Sequence, residues 1–369
     1  MSRHIYIHIP FCEAKCPYCD FYSRTDIDNR FFDAALKEID SYSMLLGRSV
    51  SDQNDTLYIG GGTPSSVDAS YIASLVQRCR EVFSLSGESE ITIEVNPHSV
   101  TPGKMQVYKE CGINRISVGV QSLHDDVLQT LGRLHDCGTA LSTVADAVSF
   151  FGNVSADLML GIPGQTPAML LEDADILAGL GVKHISMYSL TLAEDTPFYS
   201  RYKDTLEDLV PDEREMYHGL RDHLADLGLH PYEISNCAFR GFESRHNMSC
   251  WRGEEYFAVG PSSHGYLNGR RFSHRPSVGS YIRDPLDTVT EEILSDEDKM
   301  REYAMLMLRT ADGISRKEFL ERFGSELDEI YKDEIESNIA KGCLEDTGRN
   351  VRLTSNGLDL ANQVFADFL

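Results

Sequence analysis

The run Ile9-Pro10-Phe11-Cys12-Glu13-Ala14-Lys15-Cys16-Pro17-Tyr18-Cys19-Asp20-Phe21 decides how this chain is read. Three cysteines stand within eight residues at a C-x-x-x-C-x-x-C spacing. Three thiols cannot all bridge one another, but three thiolates can hold three corners of an iron–sulfur cube. A four-iron cube held at three corners leaves one iron open to an outside ligand. The duller readings fit less well. Structural zinc usually takes four ligands in two pairs; Cys16 and Cys19 with Cys237 and either His246 or Cys250 would supply them, leaving Cys12 unexplained. A disulfide belongs to an oxidising compartment, and a long chain with nine cysteines and no segment that reads as a secretory signal argues for a reducing one. A thioredoxin-like C-x-x-C opens a helix after a strand, whereas Asp20-Phe21-Tyr22-Ser23 does not read as a helix start.

Outward from this run the first half alternates β-branched stretches with amphipathic ones. Strands are expected at Ile5–Ile9, Thr56–Ile59, Glu90–Val95, Arg115–Val120, Ser155–Leu160 and His184–Leu190. Helices are expected at Phe31–Leu46, Asp68–Phe83, Gly103–Cys111, Ala140–Phe151 and Pro167–Leu180. Such alternation predicts parallel β–α units, and six of them make a partial (β/α)6 TIM-like barrel. Functional groups of β/α barrels collect at the C-terminal ends of the strands, where the candidate motifs fall. Gly60-Gly61-Gly62-Thr63-Pro64 follows the second strand. Its glycines reach backbone conformations closed to other residues and leave carbonyls bare to a ligand's ammonium; a plain strand-to-helix turn is the alternative. The run lacks the Gly-Lys-Ser/Thr of a phosphate loop. Glu94 ends the third strand inside an apolar run, where a carboxylate needs a cationic partner unless it faces solvent.

The cysteine triplet, with Tyr18 just before Cys19, resembles the signature of the radical S-adenosylmethionine (SAM) superfamily, and an open iron on a reducible cluster suits that cofactor's chemistry. The phrase His8-Ile9-Pro10-Phe11-Cys12 through Asp20-Phe21 is similar to the oxygen-independent coproporphyrinogen III oxidases and their relatives, the HemW-type haem chaperones, and the resemblance covers essentially the whole chain. It implies a radical SAM partial barrel, a [4Fe–4S] cluster on Cys12, Cys16 and Cys19, and SAM beside it. It also implies homolytic cleavage of the sulfonium bond to methionine and a deoxyadenosyl radical. The cofactor contacts it implies are Gly61, Gly62 and Thr63, with Glu94 for the ammonium and Arg133 as a planar fork for the carboxylate. Gln121 and Asp157 would serve the ribose, and Tyr18 and Thr191 complete the set, Thr191 on the adenine side. Tyr6 matches a family tyrosine near the cofactor, with a core strand tyrosine as the alternative. These residues position rather than transfer protons, and no acid–base catalytic residue is assigned.

Three features separate oxidase from chaperone. The oxidases carry a further cysteine two places after the third, and Phe21 stands there; they also have a longer stretch before the motif than Met1–Phe11. The chaperones carry H-N-x-x-Y-W, and this chain reads His246-Asn247-Met248-Ser249-Cys250-Trp251, with Cys250 in place of tyrosine. The resemblance therefore implies a chaperone that binds haem and passes it to haem-requiring proteins such as respiratory enzymes. Coproporphyrinogen III oxidation, or another radical SAM oxidation, is the alternative. His246 is the candidate axial ligand, against a hydrogen-bonded loop residue; Trp251 could pack on the porphyrin, against plain core.

The chain has 369 residues, 41% hydrophobic and 25% charged, proportions usual for soluble globular proteins. The division expected is a core at 1–228, a connecting segment at 229–290 that is irregular and rich in Gly, Ser, His and aromatics, and a C-terminal domain at 291–369. A helix from Asp212 to about Leu227 closes the core. In the last part, helices at Asp296–Leu308, Arg316–Phe323 and Glu326–Lys341, a hairpin over Cys343–Leu353 and a helix Ser355–Phe368 resemble a winged helix. Its 19 acidic residues against 10 basic ones, and the net charge of −24 for the chain, have the wrong sign for nucleic acid. A packing or homodimer role is expected instead. No apolar run approaches the roughly 20 residues that span a bilayer, and the chain is read as cytoplasmic, with membrane attachment left open only through a recipient protein.

Overall fold

The computed structural model describes residues 3–46, 54–210 and 213–369. Six parallel strands lie in sequence order: β1 (His4–Ile9), β2 (Thr56–Gly61), β3 (Glu90–Val95), β4 (Arg115–Gln121), β5 (Asn153–Leu160) and β6 (His184–Ser189). Each expected strand forms, to within two residues at either end. Their side chains alternate between two surroundings. Ile5, Ile7 and Ile9 of β1, Leu57 and Ile59 of β2, and Ile91 and Ile93 of β3 are fully buried in one apolar core with the helices Arg30–Ser41, Ala69–Phe83 and Pro102–Cys111. The other face is polar. Tyr6 stacks on Tyr58 with ring centroids 6.2 Å apart, and the Tyr58 hydroxyl donates to Glu94 Oε1 at 2.7 Å. The strands thus form a partial barrel whose lumen is lined by polar groups.

The helices start where short polar side chains cap them: Asp68, Thr101, Asp136 and Thr166 each accept from a backbone N–H of the first turn. The helix expected from Asp212 runs over Glu213–Asp226; Asp212 itself lies outside the described residues.

Residues 229–290 depart from expectation. They are not irregular but add β7 (His230–Glu233), β8 (Asn236–Ala238), β9 (Tyr256–Val259), β10 (His264–Leu267), β11 (Arg270–His274) and β12 (Thr288–Ile293) to the same sheet. Its order is β12-β11-β10-β9-β1-β2-β3-β4-β5-β6-β8-β7. β9 pairs in parallel with β1, and the remaining added strands pair antiparallel. Between β8 and β9 a short helix, Arg245–Trp251, carries the His246–Trp251 motif.

The C-terminal part has its own core of Tyr303, Phe319, Leu344, Val351 and Phe365. The expected hairpin forms as β14 (Leu344–Asp346) and β15 (Asn350–Leu353), and β13 (Ile314–Ser315) completes a three-stranded sheet on β15. Two expected helices are broken, at Tyr331 and at Leu360. Tyr331 leaves helical backbone to set its ring 5.2 Å from that of Phe368 and 6.1 Å from that of Phe319, so core packing overrides helical continuity. No helix among the described residues is long and apolar enough to cross a membrane.

Candidate functional site

A cleft of about 380 Å³ opens at the C-terminal ends of β1–β6. β1 runs straight into the cysteine loop, which is laced to its neighbours by backbone bonds. Cys12 N donates to Arg24 O at 2.9 Å, Arg24 N to Pro10 O at 2.8 Å, Gly62 N to Ile9 O at 2.8 Å and Thr63 N to Phe11 O at 2.7 Å. Cys12, Cys16 and Cys19 all line the cleft. The Thr63 hydroxyl donates to Cys12 Sγ at 3.4 Å, and Arg133 Nη1 reaches Cys16 Sγ at 3.7 Å and the Tyr18 hydroxyl at 3.4 Å. Gly62 is needed for this approach: a Cβ there would stand 2.8 Å from Phe11 O and 3.0 Å from Cys12 Sγ.

Opposite the cysteines the base of the cleft is acidic. Glu94 accepts from Tyr58 and, at 3.2 Å, from Gly61 N, while Asp157 accepts from Ser117 at 3.2 Å. Burial pushes the Glu94 carboxyl up to about 7, against the pull of the Tyr58 bond, and burial raises Asp157 too, because a low-dielectric site disfavours the charged form. Neither forms an ion pair within 4 Å among the described residues; Arg115 acts on both from farther off, and Arg133 on Asp157, without offsetting the burial. Gln121 ends β4 in left-handed backbone, φ 69°, and lines the cleft; that conformation is uncommon for a residue with a side chain. Arg133 donates to Gly119 O at 2.8 Å and Asn96 Oδ1 at 2.5 Å, and its buried Nε has no partner among the described residues.

The sequence-derived set therefore converges. Gly61, Gly62, Thr63, Glu94, Gln121, Arg133, Asp157 and Thr191 line the same cleft as Tyr18 and the cysteines. Soft thiolates at one wall, unpaired carboxylates at the base and an open guanidinium nitrogen are a donor set that fits a thiolate-held cluster with a cationic, carboxylate-bearing cofactor beside it. Tyr6 is not on the cleft wall. It lies one layer deeper, hydrogen-bonded to His8 Nδ1 at 3.2 Å, with its hydroxyl raised by burial. Sequence reasoning missed Asn96, which orients Arg133, and Gly119, whose Cβ would come within 2.8 Å of Asn96 Oδ1. The signal for Asn96 was its place two residues beyond Glu94, at a strand's C-terminal end before Pro97.

His246 and Trp251 lie elsewhere, at the N-terminal ends of the strands. His246 is 6% exposed; its Nδ1 meets Thr56 Oγ1 at 2.8 Å and its ring stacks on Tyr58 with centroids 5.1 Å apart. Burial holds its imidazole down to about 3, so it is neutral. The Arg309 guanidinium sits 4.4 Å from the Trp251 ring centre, covering one face as cations over indoles do. The residues of the zinc alternative are split between the two ends: Cys16 and Cys19 stand at the cleft, whereas Cys237 is buried opposite Ile185 near the start of β6. Among the described residues no group of three or more His, Cys, Asp or Glu converges on a single metal ion.

Residues 6–177 match the model of the Radical SAM superfamily and residues 294–360 that of the HemN C-terminal domain. The heme chaperone HemW of Bacillus subtilis is 35% identical over 383 residues, covering 100% of this chain and 99% of that protein. HemW of Lactococcus lactis is 32% identical, covering 99% and 96%. The mouse mitochondrial radical S-adenosyl methionine domain-containing protein 1 is 30% identical, covering 99% and 87%. Coproporphyrinogen III oxidase HemN of Escherichia coli superposes with a TM-score of 0.82 over 100% of this chain and 90% of that one; at 18% identity this shows the shared fold. With full-length likeness at this level and a radical SAM core, the chain belongs to the HemW family of the radical SAM superfamily.

Proposed function

We propose that this protein is a haem chaperone that holds a [4Fe–4S] cluster on Cys12, Cys16 and Cys19, binds SAM beside it, and passes haem to haem-requiring proteins such as respiratory enzymes. The observation that carries the cofactor half is the convergence of three thiols and two carboxylates raised by burial on one cleft. When bound, the cluster and SAM supply one-electron chemistry at the sulfonium bond. The chain's own work is placement. Glu94 and the bare carbonyls of Gly61 and Gly62 receive an ammonium, Arg133 receives a carboxylate through its free Nε, and Gln121, Asp157 and Thr191 hold the nucleoside end.

Support for the chaperone over the oxidase comes from relatives named as heme chaperones and from Phe21, 64% exposed at the cleft mouth where the oxidases have a cysteine. We read residues 1–228 as the radical SAM core, 229–290 as the part carrying the haem motif and 291–369 as a packing or homodimer domain, in a cytoplasmic protein.

Oxygen-free reconstitution tests both halves. Iron and acid-labile sulfide near four each per chain, haem binding in titration, and no protoporphyrinogen from coproporphyrinogen are expected. Useful turnover of coproporphyrinogen overturns the chaperone, and protein lacking labile sulfide overturns the cluster.

A further inference from the structure

The helix Arg245–Trp251 separates two cavities at the N-terminal ends of the strands. On the side of Cys250 and Trp251 lies a pocket of about 180 Å³. Ligand sites usually enclose roughly 300 Å³ or more, so this one is small. Its cations are spent: Arg271 pairs with Glu302 at 2.6 Å, Lys299 with Asp296 at 2.9 Å, and Arg322 Nη2 donates to Gly253 O at 2.7 Å. On the side of Met248 lies a groove of about 760 Å³, roofed by Ala311 and Asp312 of the C-terminal part.

Some arginines of this acidic surface are matched, as Arg316 is with Asp328 and Asp346. Arg240 and Arg252 on the groove are exposed and make no ion pair within 4 Å among the described residues. Arg245 is excluded from such a role, since its Nη2 donates to Glu88 O at 2.6 Å. The groove also holds three carboxylates: Glu254, whose Oε2 meets His4 Nε2 at 2.7 Å, Glu243, which accepts from Gly241 N at 2.8 Å, and the exposed Asp312. Two imidazoles line the groove. Both nitrogens of His4 are engaged, by Thr56 and Glu254, whereas His230 is exposed and makes no hydrogen bond or ion pair through its ring among the described residues.

We propose that this groove is the haem site: Arg240 and Arg252 take the two propionates, Met248 and Pro231 meet the macrocycle, and His230, not the buried His246, ligates the iron. The assignment rests on the haem reading above and changes its location and ligand. It also puts the cargo at the opposite end of the barrel strands from the cofactor cleft. A six-residue strand such as β1 spans about 20 Å, so haem is held out of reach of the cleft's chemistry.

The test is titration of the full chain, followed by absorption and EPR, with haem and with haem dimethyl ester, which keeps the iron and macrocycle but has no carboxylates. Haem is expected to bind the wild type about tenfold or more tightly than the ester. Arg240→Glu with Arg252→Glu should erase that preference, His230→Ala should lose the imidazole-ligated spectrum, and His246→Ala should keep it. Equal binding of haem and ester by wild type overturns the propionate clamp without any variant having to fold. Loss of the imidazole spectrum in His246→Ala but not in His230→Ala overturns the ligand. A wild type that binds neither compound overturns the haem reading itself.

Discussion

The two ends of the barrel differ in how they house charges that stand outside ion pairs. At the C-terminal ends of the strands, Glu94 and Asp157 are carboxylates sunk in the cleft floor with no ion pair within 4 Å among the described residues. At the N-terminal ends, Arg240 and Arg252 are exposed cations in no ion pair within 4 Å among the described residues. Burying a charge unpaired is costly whereas leaving one in water is cheap, so the first end demands its ligand and the second only offers a place to one. That difference suits a cofactor held tightly in a cleft and a cargo released from an open groove. It also separates the tests: damage at one end should leave the other working.

The largest effect expected is from changing Cys12, Cys16 and Cys19 together to alanine. Iron and labile sulfide should fall to background, while haem affinity stays within about twofold, because the groove lies about 20 Å off. Loss of haem binding together with the cluster, in protein whose circular dichroism and melting are unchanged, would break the comparison.

Glu94→Gln comes next. Between pH 4.5, where a free glutamic acid titrates, and about 7, the folded chain keeps a proton that the unfolded chain has lost. Stability of the cofactor-free protein therefore falls as pH rises through that window and levels off above it, by about 3 kcal/mol in all. The Gln variant should flatten that slope and melt higher than wild type at pH 8. Its affinity for SAM should fall by about tenfold or more, and the wild-type gain in affinity from pH 6 to pH 8 should vanish. Denaturant melts and calorimetric titration at three pH values measure both; an unchanged slope would mean that Glu94 is not the buried acid it is taken to be.

Legibility from sequence followed the same divide. The cleft was readable because its parts are local and sharply marked: a cysteine loop directly after one strand, a glycine run after the next, and acids at strand ends. Strand boundaries were readable because Ile5, Ile7 and Ile9 alternate with Tyr6 and His8, and helix starts because Asp68, Thr101 and Thr166 are capping residues. Residues 229–290 were opaque because their strands are three to six residues long, too short for a period to register. One signal was overlooked there. Asn268-Gly269 lies between Tyr266-Leu267 and Arg270-Arg271-Phe272, and both turn residues have positive φ, 53° and 70°. A two-residue hairpin turn of the primed type requires that. The His246–Trp251 motif was found, but which way its side chains point depends on Thr56, Tyr58 and Arg309, each distant in sequence.

The smallest effect probes whether anything joins the two ends. Thr56 Oγ1 bridges His246 Nδ1 at 2.8 Å and His4 Nδ1 at 2.9 Å. His246 stacks on Tyr58, which bonds Glu94, so a continuous polar column runs from groove to cleft. Thr56→Val keeps the shape and removes the hydroxyl, leaving two buried imidazole nitrogens without their partner at a cost of about 1–3 kcal/mol. The melting temperature should drop by a few degrees, with SAM and haem affinities each changed by less than about threefold, because Tyr58 and Glu94 keep their own bond and Arg240, Arg252 and His230 do not touch Thr56. A hydroxyl deletion that instead weakened SAM binding tenfold would show that the column transmits, and the barrel would then be one coupled site rather than two independent ones.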